Sequence, residues 1–109
     1  MVCNINIEEG IMNCGGSEEF YVEIIDAFVE EGKKEELIQN YADKDWNMYK
    51  INVHGLKGTL RLIGAVDAGN LAEKLQMAAE SLDIATIDSL HNILLEMIDT
   101  SLAQIRSEL

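Results

Sequence analysis

The 109-residue chain is long enough for one domain with a modest core, and its 48% hydrophobic content excludes a disordered acidic tail. Its net charge of -12 would repel the phosphates of nucleic acid and of an anionic membrane surface, so neither is expected as a partner. No apolar run approaches the roughly 18 residues of a membrane-spanning helix, and no signal peptide is recognisable, so we expect a cytoplasmic protein without direct membrane insertion.

Cysteine and proline usage narrows the structural class. The two cysteines, Cys3 and Cys14, are too few for a disulfide scaffold or a zinc site, so we expect free thiols in a reducing cytoplasm. The chain contains no proline, a residue that usually marks loops and strand ends, and this favours an all-helical protein. No internal repeat or linker divides the chain, so residues 1–109 are expected to form a single domain.

The first part of the chain predicts a short helix followed by a longer one. The short helix is expected over residues 5–12 and is closed by a turn over residues 13–16. Ser17 is typical of an N-cap, and two glutamates follow it in the first turn of the next helix. Apolar residues then recur at helical spacing: Tyr21, Ile24, Ile25 and Phe28. Gly32 either ends this helix or only weakens it, because a helical pattern resumes after it.

Three more helices are expected in the second part of the chain. Asp45 is predicted to cap a helix over residues 46–63, which Gly64 would end in the left-handed conformation. Asp67 would start a helix to about residue 82, and Thr86 would start the last one, to about residue 108. Four amphipathic helices with short connections predict an all-α fold, an antiparallel up-down four-helix bundle with a short additional N-terminal helix.

The helix predicted over residues 46–63 has a buried face and a basic face. Its apolar residues step by 4, 3, 4 and 3 and predict one buried seam: Tyr49, Val53, Leu56, Leu60 and Ile63. His54 is rotated by about 100° from the seam at Val53, so it is expected to face outward at the edge of that seam. Helical spacing places three of the chain's eight basic residues on the same face as His54: Lys50, Lys57 and Arg61. We call these three residues the basic patch.

The presence of two glycines inside this helix has to be explained, because each lowers the stability of the helix by about 1 kcal/mol relative to alanine. Gly58 lies one turn after His54 on the same face, where a side chain would cover the imidazole, and Gly55 clears its flank. An accessible imidazole beside cations suits a nucleophile that accepts an anionic group and meets the surface of another protein. The cations also favour the neutral ring, which has a free lone pair. An ordinary surface histidine is the alternative, although a solvated face gains nothing from glycines.

These residues resemble the signature of the histidine-containing phosphotransfer (HPt) domain family. The stretch HGLKG from His54 to Gly58, with Gly64-Ala65 ten and eleven positions after the histidine, is similar to the family pattern H-x-L-K-G. The resemblance covers nearly the whole chain. It implies a phosphorelay intermediate in two-component signal transduction, in which His54 accepts a phosphoryl group from a receiver-domain aspartate and passes it to the aspartate of a response regulator.

The resemblance also implies roles for the neighbours of His54. Lys57 would steady the phosphoryl oxygens, and Gly58 would leave room for the docked receiver. The domain would hold no metal of its own, because the receiver brings the Mg²⁺. The acidic pocket of a receiver would suit the basic patch, which makes Lys50 and Arg61 further candidate partner contacts. The domain is expected to be a monomer.

Gln76 is the second candidate at the site. It is displaced from the seam position Leu75 just as His54 is displaced from Val53, and an antiparallel neighbouring helix would bring it to the histidine. Many members of the family have a glutamate or glutamine here, bonded to the ring nitrogen that is not phosphorylated. Its amide oxygen would accept from Nδ1–H and leave Nε2 bare. A solvated glutamine is the alternative. The buried seam of this helix is expected to comprise Leu71, Leu75, Ala78 and Leu82.

Two functional classes compete with phosphotransfer. A di-metal carboxylate enzyme on a four-helix bundle needs two Glu-x-x-His pairs, but Ile51 stands three residues before His54 and Asp88 three before His91. A helical interaction module without chemistry conflicts with the intact residues of the HGLKG stretch. His91 has neither glycine nor lysine at helical spacing and is expected to be an ordinary boundary residue.

The sequence does not decide whether the domain is free-standing or part of a larger protein. The chain fits a free-standing phosphocarrier, which is not a catalyst on its own. It also fits the phosphotransfer domain of a larger hybrid or chemotaxis-type sensor histidine kinase, including the cytoplasmic part of a membrane sensor. Departures from the family pattern at Val53, Arg61 and Leu62, where smaller residues are common, bear on partner preference and not on the chemistry.

Overall fold

A computed structural model describes residues 5–109, and this part of the chain is built from helices and short turns without any strand. The helices are α1 (Ile7–Asn13), α2 (Glu18–Glu31), α3 (Lys33–Ala42), α4 (Trp46–Leu62), α5 (Val66–Glu80) and α6 (Ile84–Glu108). The predicted all-α bundle with a short N-terminal helix is confirmed. Of the two cysteines, Cys14 is a buried free thiol, and Cys3 lies outside the described residues.

Side-chain caps explain where the helices that lead to the site begin. Ser17 Oγ accepts from the backbone N–H of Phe20 at 3.1 Å and starts α2, as predicted. Asp45 Oδ1 accepts from the N–H of Met48 at 3.2 Å and starts α4, also as predicted. Each cap satisfies a backbone donor that the first turn of a helix leaves unpaired.

Three predicted helix starts are wrong by one or two residues. The short helix predicted from residue 5 begins at Ile7, with Asn6 as its cap. The helix predicted to begin at Asp67 begins at Val66, and Asp67 lies in its first turn. The helix predicted to begin at Thr86 begins at Ile84, because Asp83 is the cap. Asp83 accepts from both the backbone N–H and the hydroxyl of Thr86, at 3.2 and 2.6 Å, and these bonds lower the pKa of the Asp83 carboxyl.

Gly32 ends one helix and begins the next. Its backbone adopts the left-handed conformation, with φ of 64° and ψ of 32°, and its N–H donates to the carbonyl of Val29. The sequence left open whether the helix continues through Gly32, and the structure shows that it does not. α2 and α3 are therefore separate helices that the single residue Gly32 joins.

Contacts between side chains show that neighbouring helices run antiparallel. Along α4, His54 contacts Gln76 and the later Arg61 contacts the earlier Glu73 of α5. Along α3, Lys34 bonds Asp99 of α6 at 2.7 Å. The later residue Tyr41 bonds Asp88 of α6 at 2.6 Å. In both helix pairs, α4 with α5 and α3 with α6, the two helices therefore run in opposite directions, as the predicted up-down bundle requires.

The core lies along the predicted seam of α4. All five of its predicted seam residues are buried: Tyr49, Val53, Leu56, Leu60 and Ile63. On α5 the prediction holds for Leu75 and Ala78, and Leu71 is half-buried. It is wrong for Leu82, which is 63% exposed because it follows the end of α5 in a turn with positive φ.

The turn between α4 and α5 is fixed by the N-terminal segment. Gly64 has φ of 91°, the left-handed geometry predicted for it. The N–H of Asn6 donates to the carbonyl of Gly64 at 2.9 Å, and a Cβ on Gly64 would collide with the backbone carbonyl of Asn6. Tyr21 of α2 donates its hydroxyl to the carbonyl of Ile63 at 2.7 Å. This turn sets the relative placement of the two helices that carry His54 and Gln76.

His91 lies in the core, and its prediction as a boundary residue is wrong. It is 3% exposed, its ring stacks on Tyr41 with centroids 4.0 Å apart, and its Nδ1 lies 2.9 Å from the hydroxyl of Tyr49. Burial lowers its pKa, and Asp88 opposes that shift. Aromatic neighbours from two helices, Tyr41 of α3 and Tyr49 of α4, therefore account for this histidine without any site.

Candidate functional site

His54 projects from the middle of α4 into solvent. The adjacent seam residues Val53 and Leu56 are fully buried, and their burial fixes the rotation of the helix. A residue about 100° around the axis from Val53 must then point outward, and His54 is exposed. The chain thus presents an imidazole on a rigid, well-packed helix.

Gln76 of α5 contacts the ring of His54. Its Oε1 lies 3.0 Å from His54 Nδ1, and the glutamine is half-buried between the helices. An amide oxygen only accepts, so Nδ1 carries the ring proton and Nε2 keeps its lone pair. The predicted contact is therefore present, and the solvated-glutamine alternative is wrong.

The two glycines beside His54 have no packing role. A Cβ on Gly55 or on Gly58 would meet no atom within 4 Å. Gly69 of α5 differs, because there a Cβ would come within 2.7 Å of Arg61 Cγ. The fold thus needs a glycine where the helices touch but not beside the histidine, where the glycines only keep the surface open.

The three cations of the basic patch differ in their contacts. Lys50 and Lys57 are half-buried and make no hydrogen bond or ion pair with residues 5–109. Arg61 Nη2 instead donates to Asn70 at 3.1 Å and to Glu73 at 2.7 Å. The hydrogen bond and the charge of Arg61 lower the pKa of the Glu73 carboxyl, and Lys57 adds a smaller effect in the same direction. Arg61 is therefore held by side chains of α5, whereas the two lysines are not.

Gly69 and Glu73 are residues of the site region that the sequence reasoning missed. The stem of Arg61 occupies the space that a side chain at Gly69 would fill, so the guanidinium can cross α5 and reach Glu73. The available signal was a glycine inside the predicted helix over residues 67–82, of the same kind as Gly55 and Gly58.

Exposed apolar side chains near His54 were also missed. Met48 and Ile51 of α4 are 40% and 51% exposed, and Met77, next to Gln76, is 64% exposed. On the flank of Gly55 a groove of about 280 Å³ is lined by Glu31, Lys33, Ile51, Asn52, Gly55, Leu56 and Thr59. Ile51 precedes His54 by three residues, so helical spacing alone could have identified it.

The described residues offer a nucleophile but no metal centre. Within residues 5–109 no three His, Cys, Asp or Glu side chains are grouped so that they could hold a metal ion. In the same range, no helix is both long and apolar enough to cross a bilayer. The site can present a neutral imidazole with Nε2 free, a nearby ammonium group and an uncovered approach.

Comparison with known proteins gives a match that covers most of the chain. A family model described as Hpt domain matches residues 23–108, from within α2 to the last residue of α6. The matched range contains every residue of the candidate site. No curated protein and no solved structure matches the chain.

Proposed function

Because the chain belongs to the Hpt domain family, which acts in phosphotransfer in two-component signalling, we propose that it is a phosphorelay intermediate. His54 accepts a phosphoryl group from a receiver-domain aspartate and passes it to the aspartate of a response regulator. The observation that supports this proposal best is the 3.0 Å contact between His54 Nδ1 and Gln76 Oε1 on an otherwise open face. It leaves Nε2 as the one ring nitrogen with a free lone pair.

The proposed chemistry is a reversible displacement at phosphorus. The Nε2 lone pair of His54 attacks the aspartyl phosphate, the P–N bond forms, and the P–O bond to the aspartate breaks with its electron pair leaving on the carboxylate. The imidazole gains positive charge as the P–N bond forms, and Gln76 Oε1 accepts from Nδ1–H as that charge develops. Onward transfer reverses these steps with a second receiver.

Lys57 is proposed to balance the negative charge of the transferred group. It lies one turn after His54 and makes no close ion pair within residues 5–109, so its ammonium group is available to the phosphoryl oxygens. Phosphoryl transfer depends mainly on positioning and on charge neutralisation. The Mg²⁺ that such a transfer needs is assigned to the receiver, and no residue of this chain is proposed to hold it.

The receiver is proposed to dock over the face around His54. Apolar contact would come from Met48, Ile51 and Met77, all exposed, and Gly58 would leave the approach open. Lys50 is proposed to face the acidic rim of the receiver. Arg61 is retained as a rim contact, because both of its bonds use Nη2 and leave other N–H groups available. We propose that the domain acts as a cytoplasmic monomer, whether alone or within a sensor kinase.

A time course of label transfer tests the proposal. A receiver phosphorylated on its aspartate is mixed with the protein, and label should pass to the wild type and then to a second receiver. The bond should be labile in acid and survive alkali, as expected of a phosphoramidate. His54→Gln should take up no label, whereas His91→Gln, which removes the other histidine, should still take it up. Labelling of His54→Gln at the wild-type level would refute the proposal.

A further inference from the structure

Glu80 contacts the far side of the Gln76 amide. Gln76 Nε2 donates to Glu80 Oε1 at 3.1 Å, while Gln76 Oε1 faces His54 Nδ1 at 3.0 Å. The two residues are four apart on α5, the spacing at which helical side chains meet. We propose that Glu80 is a positioning residue, which sets the orientation of the Gln76 amide and thereby the tautomer of His54. This inference rests on the phosphotransfer role of His54.

The orientation of the amide decides which ring nitrogen can react. The two ends of a primary amide are nearly equal in shape but opposite in hydrogen bonding, since the oxygen accepts and the nitrogen donates. If the Gln76 amide turned over, its NH₂ group would donate to Nδ1, and the ring proton would move to Nε2 of His54. In water the neutral histidine ring prefers that second tautomer. The nucleophilic form of His54 therefore needs a structural reason, and Gln76 alone does not provide one.

Glu80 provides this reason because a carboxylate only accepts hydrogen bonds. It attracts the NH₂ end of Gln76 and repels the oxygen end, so the oxygen is turned toward His54. Glu80 is exposed and makes no other hydrogen bond or ion pair within residues 5–109, so nothing there competes for its carboxylate. The three side chains form one directed series, from the carboxylate through the amide to the imidazole.

The same series also acts on the transfer step. A carboxylate bonded to the amide NH₂ polarises the amide and makes its oxygen a better acceptor, since hydrogen bonds in series strengthen one another. The imidazole becomes more positive while Nε2 forms its bond to phosphorus, and its Nδ1–H donates more strongly at that point. Glu80 thus stabilises this charge through Gln76 without touching the phosphoryl group.

Nitrogen NMR of the unphosphorylated protein tests the inference directly. In the wild type at a pH where His54 is neutral, the ¹⁵N shifts should report the proton on Nδ1. Glu80→Ala should raise the Nε2–H population, and Glu80→Lys should raise it further, because an ammonium group attracts the amide oxygen. Glu80→Gln, which retains an acceptor, should stay closer to wild type. Glu96→Ala removes another exposed carboxylate, on α6, and should change nothing.

Transfer kinetics separate positioning from a direct contact with the receiver. Glu80→Ala should slow phosphorylation of His54 by about two- to fivefold, within the range of a single hydrogen bond. In a Gln76→Leu background the same substitution should have no further effect, because Glu80 acts only through Gln76. An equal slowing in both backgrounds, or an unchanged tautomer population in Glu80→Ala, would overturn the inference. If no variant and no wild type takes up label, the phosphotransfer role fails, whereas the NMR result still decides the positioning of Gln76.

Discussion

The two histidines of the chain differ in the properties that a nucleophile requires. His54 is exposed on α4, and its Nδ1 bonds a glutamine that leaves Nε2 free. His91 is buried in the core and stacked on Tyr41, with its Nδ1 committed to Tyr49. Residue type alone does not distinguish the two, but their surroundings support the proposed reactivity of His54 and account for the packing of His91.

At the level of single residues, Lys57 is expected to act on the transferred group. Lys57→Ala should slow phosphorylation of His54 but leave receiver affinity nearly unchanged, since one charge at the protein surface contributes only about 0.2–1 kcal/mol to association. Lys74→Ala removes a lysine that is exposed on α5 and should change neither quantity. Binding measured by calorimetry, beside the transfer rate, checks this. Parallel losses of affinity and rate would make Lys57 a docking residue.

Gly58 is expected to serve access, not folding. Because a Cβ at this position meets open space, Gly58→Ala should raise the free energy of unfolding by up to about 1 kcal/mol, the helix-propensity difference. A long side chain, as in Gly58→Gln, should slow transfer while the fold persists. Denaturant unfolding and transfer kinetics on both variants measure these effects. A normal transfer rate for Gly58→Gln would contradict the access role.

At the level of helices, local sequence predicted the elements better than their ends. Apolar spacing identified the buried seam of α4, and the caps at Ser17 and Asp45 are short-range signals that sequence carries well. The start of α6 was missed because Asp83 competes with Thr86 for the capping role, and both residue types suit it. The break at Gly32 was undecidable because a helical glycine and a left-handed one look alike in sequence.

Gly64, in the turn between α4 and α5, is expected to be a glycine whose substitution strongly lowers the stability of the fold. Gly64→Ala should lower the free energy of unfolding by at least about 1–2 kcal/mol, because positive φ is unfavourable for alanine. The collision of its Cβ with the Asn6 carbonyl adds to that cost. Gly58→Ala is the matched control, a Gly-to-Ala change with the opposite expected sign. Equal free energies of unfolding for the two variants would show that neither the positive φ of Gly64 nor the nearby Asn6 carbonyl restricts this position.

At the level of the whole molecule, the part of the candidate site carried by one helix was predictable from spacing, whereas the part built between helices was predicted only where the family resemblance supplied the partner. His54, Lys57 and Gly58 follow from spacing on α4 alone. Gln76 required only that α5 run antiparallel beside it, and the resemblance to a family supplied that partner. The pairing of Arg61 with Glu73 depends on the register of two helices at Gly69, which composition and periodicity leave undetermined.

The core histidine is expected to make stability depend on pH. Burial lowers the pKa of His91 below its ordinary value of 6.5, so the unfolded chain binds this proton more readily than the folded chain. The stability that the neutral ring contributes is therefore complete above that value and is lost as pH falls from it toward the lowered pKa of the folded state. Denaturant unfolding at a series of pH values should show this decline. His91→Phe should flatten it in the same range, and an unchanged slope would contradict the assignment.

The identity of the phosphorylated atom tests the central claim most directly. The wild-type protein is phosphorylated by a phosphorylated receiver, and ³¹P and ¹⁵N NMR then identify the atom that carries the phosphoryl group. Because Nδ1 is committed to Gln76 Oε1, the phosphoryl group should be found on Nε2 of His54 and nowhere else. A phosphoryl group on Nδ1 of His54, or on any other residue, would contradict the assignment.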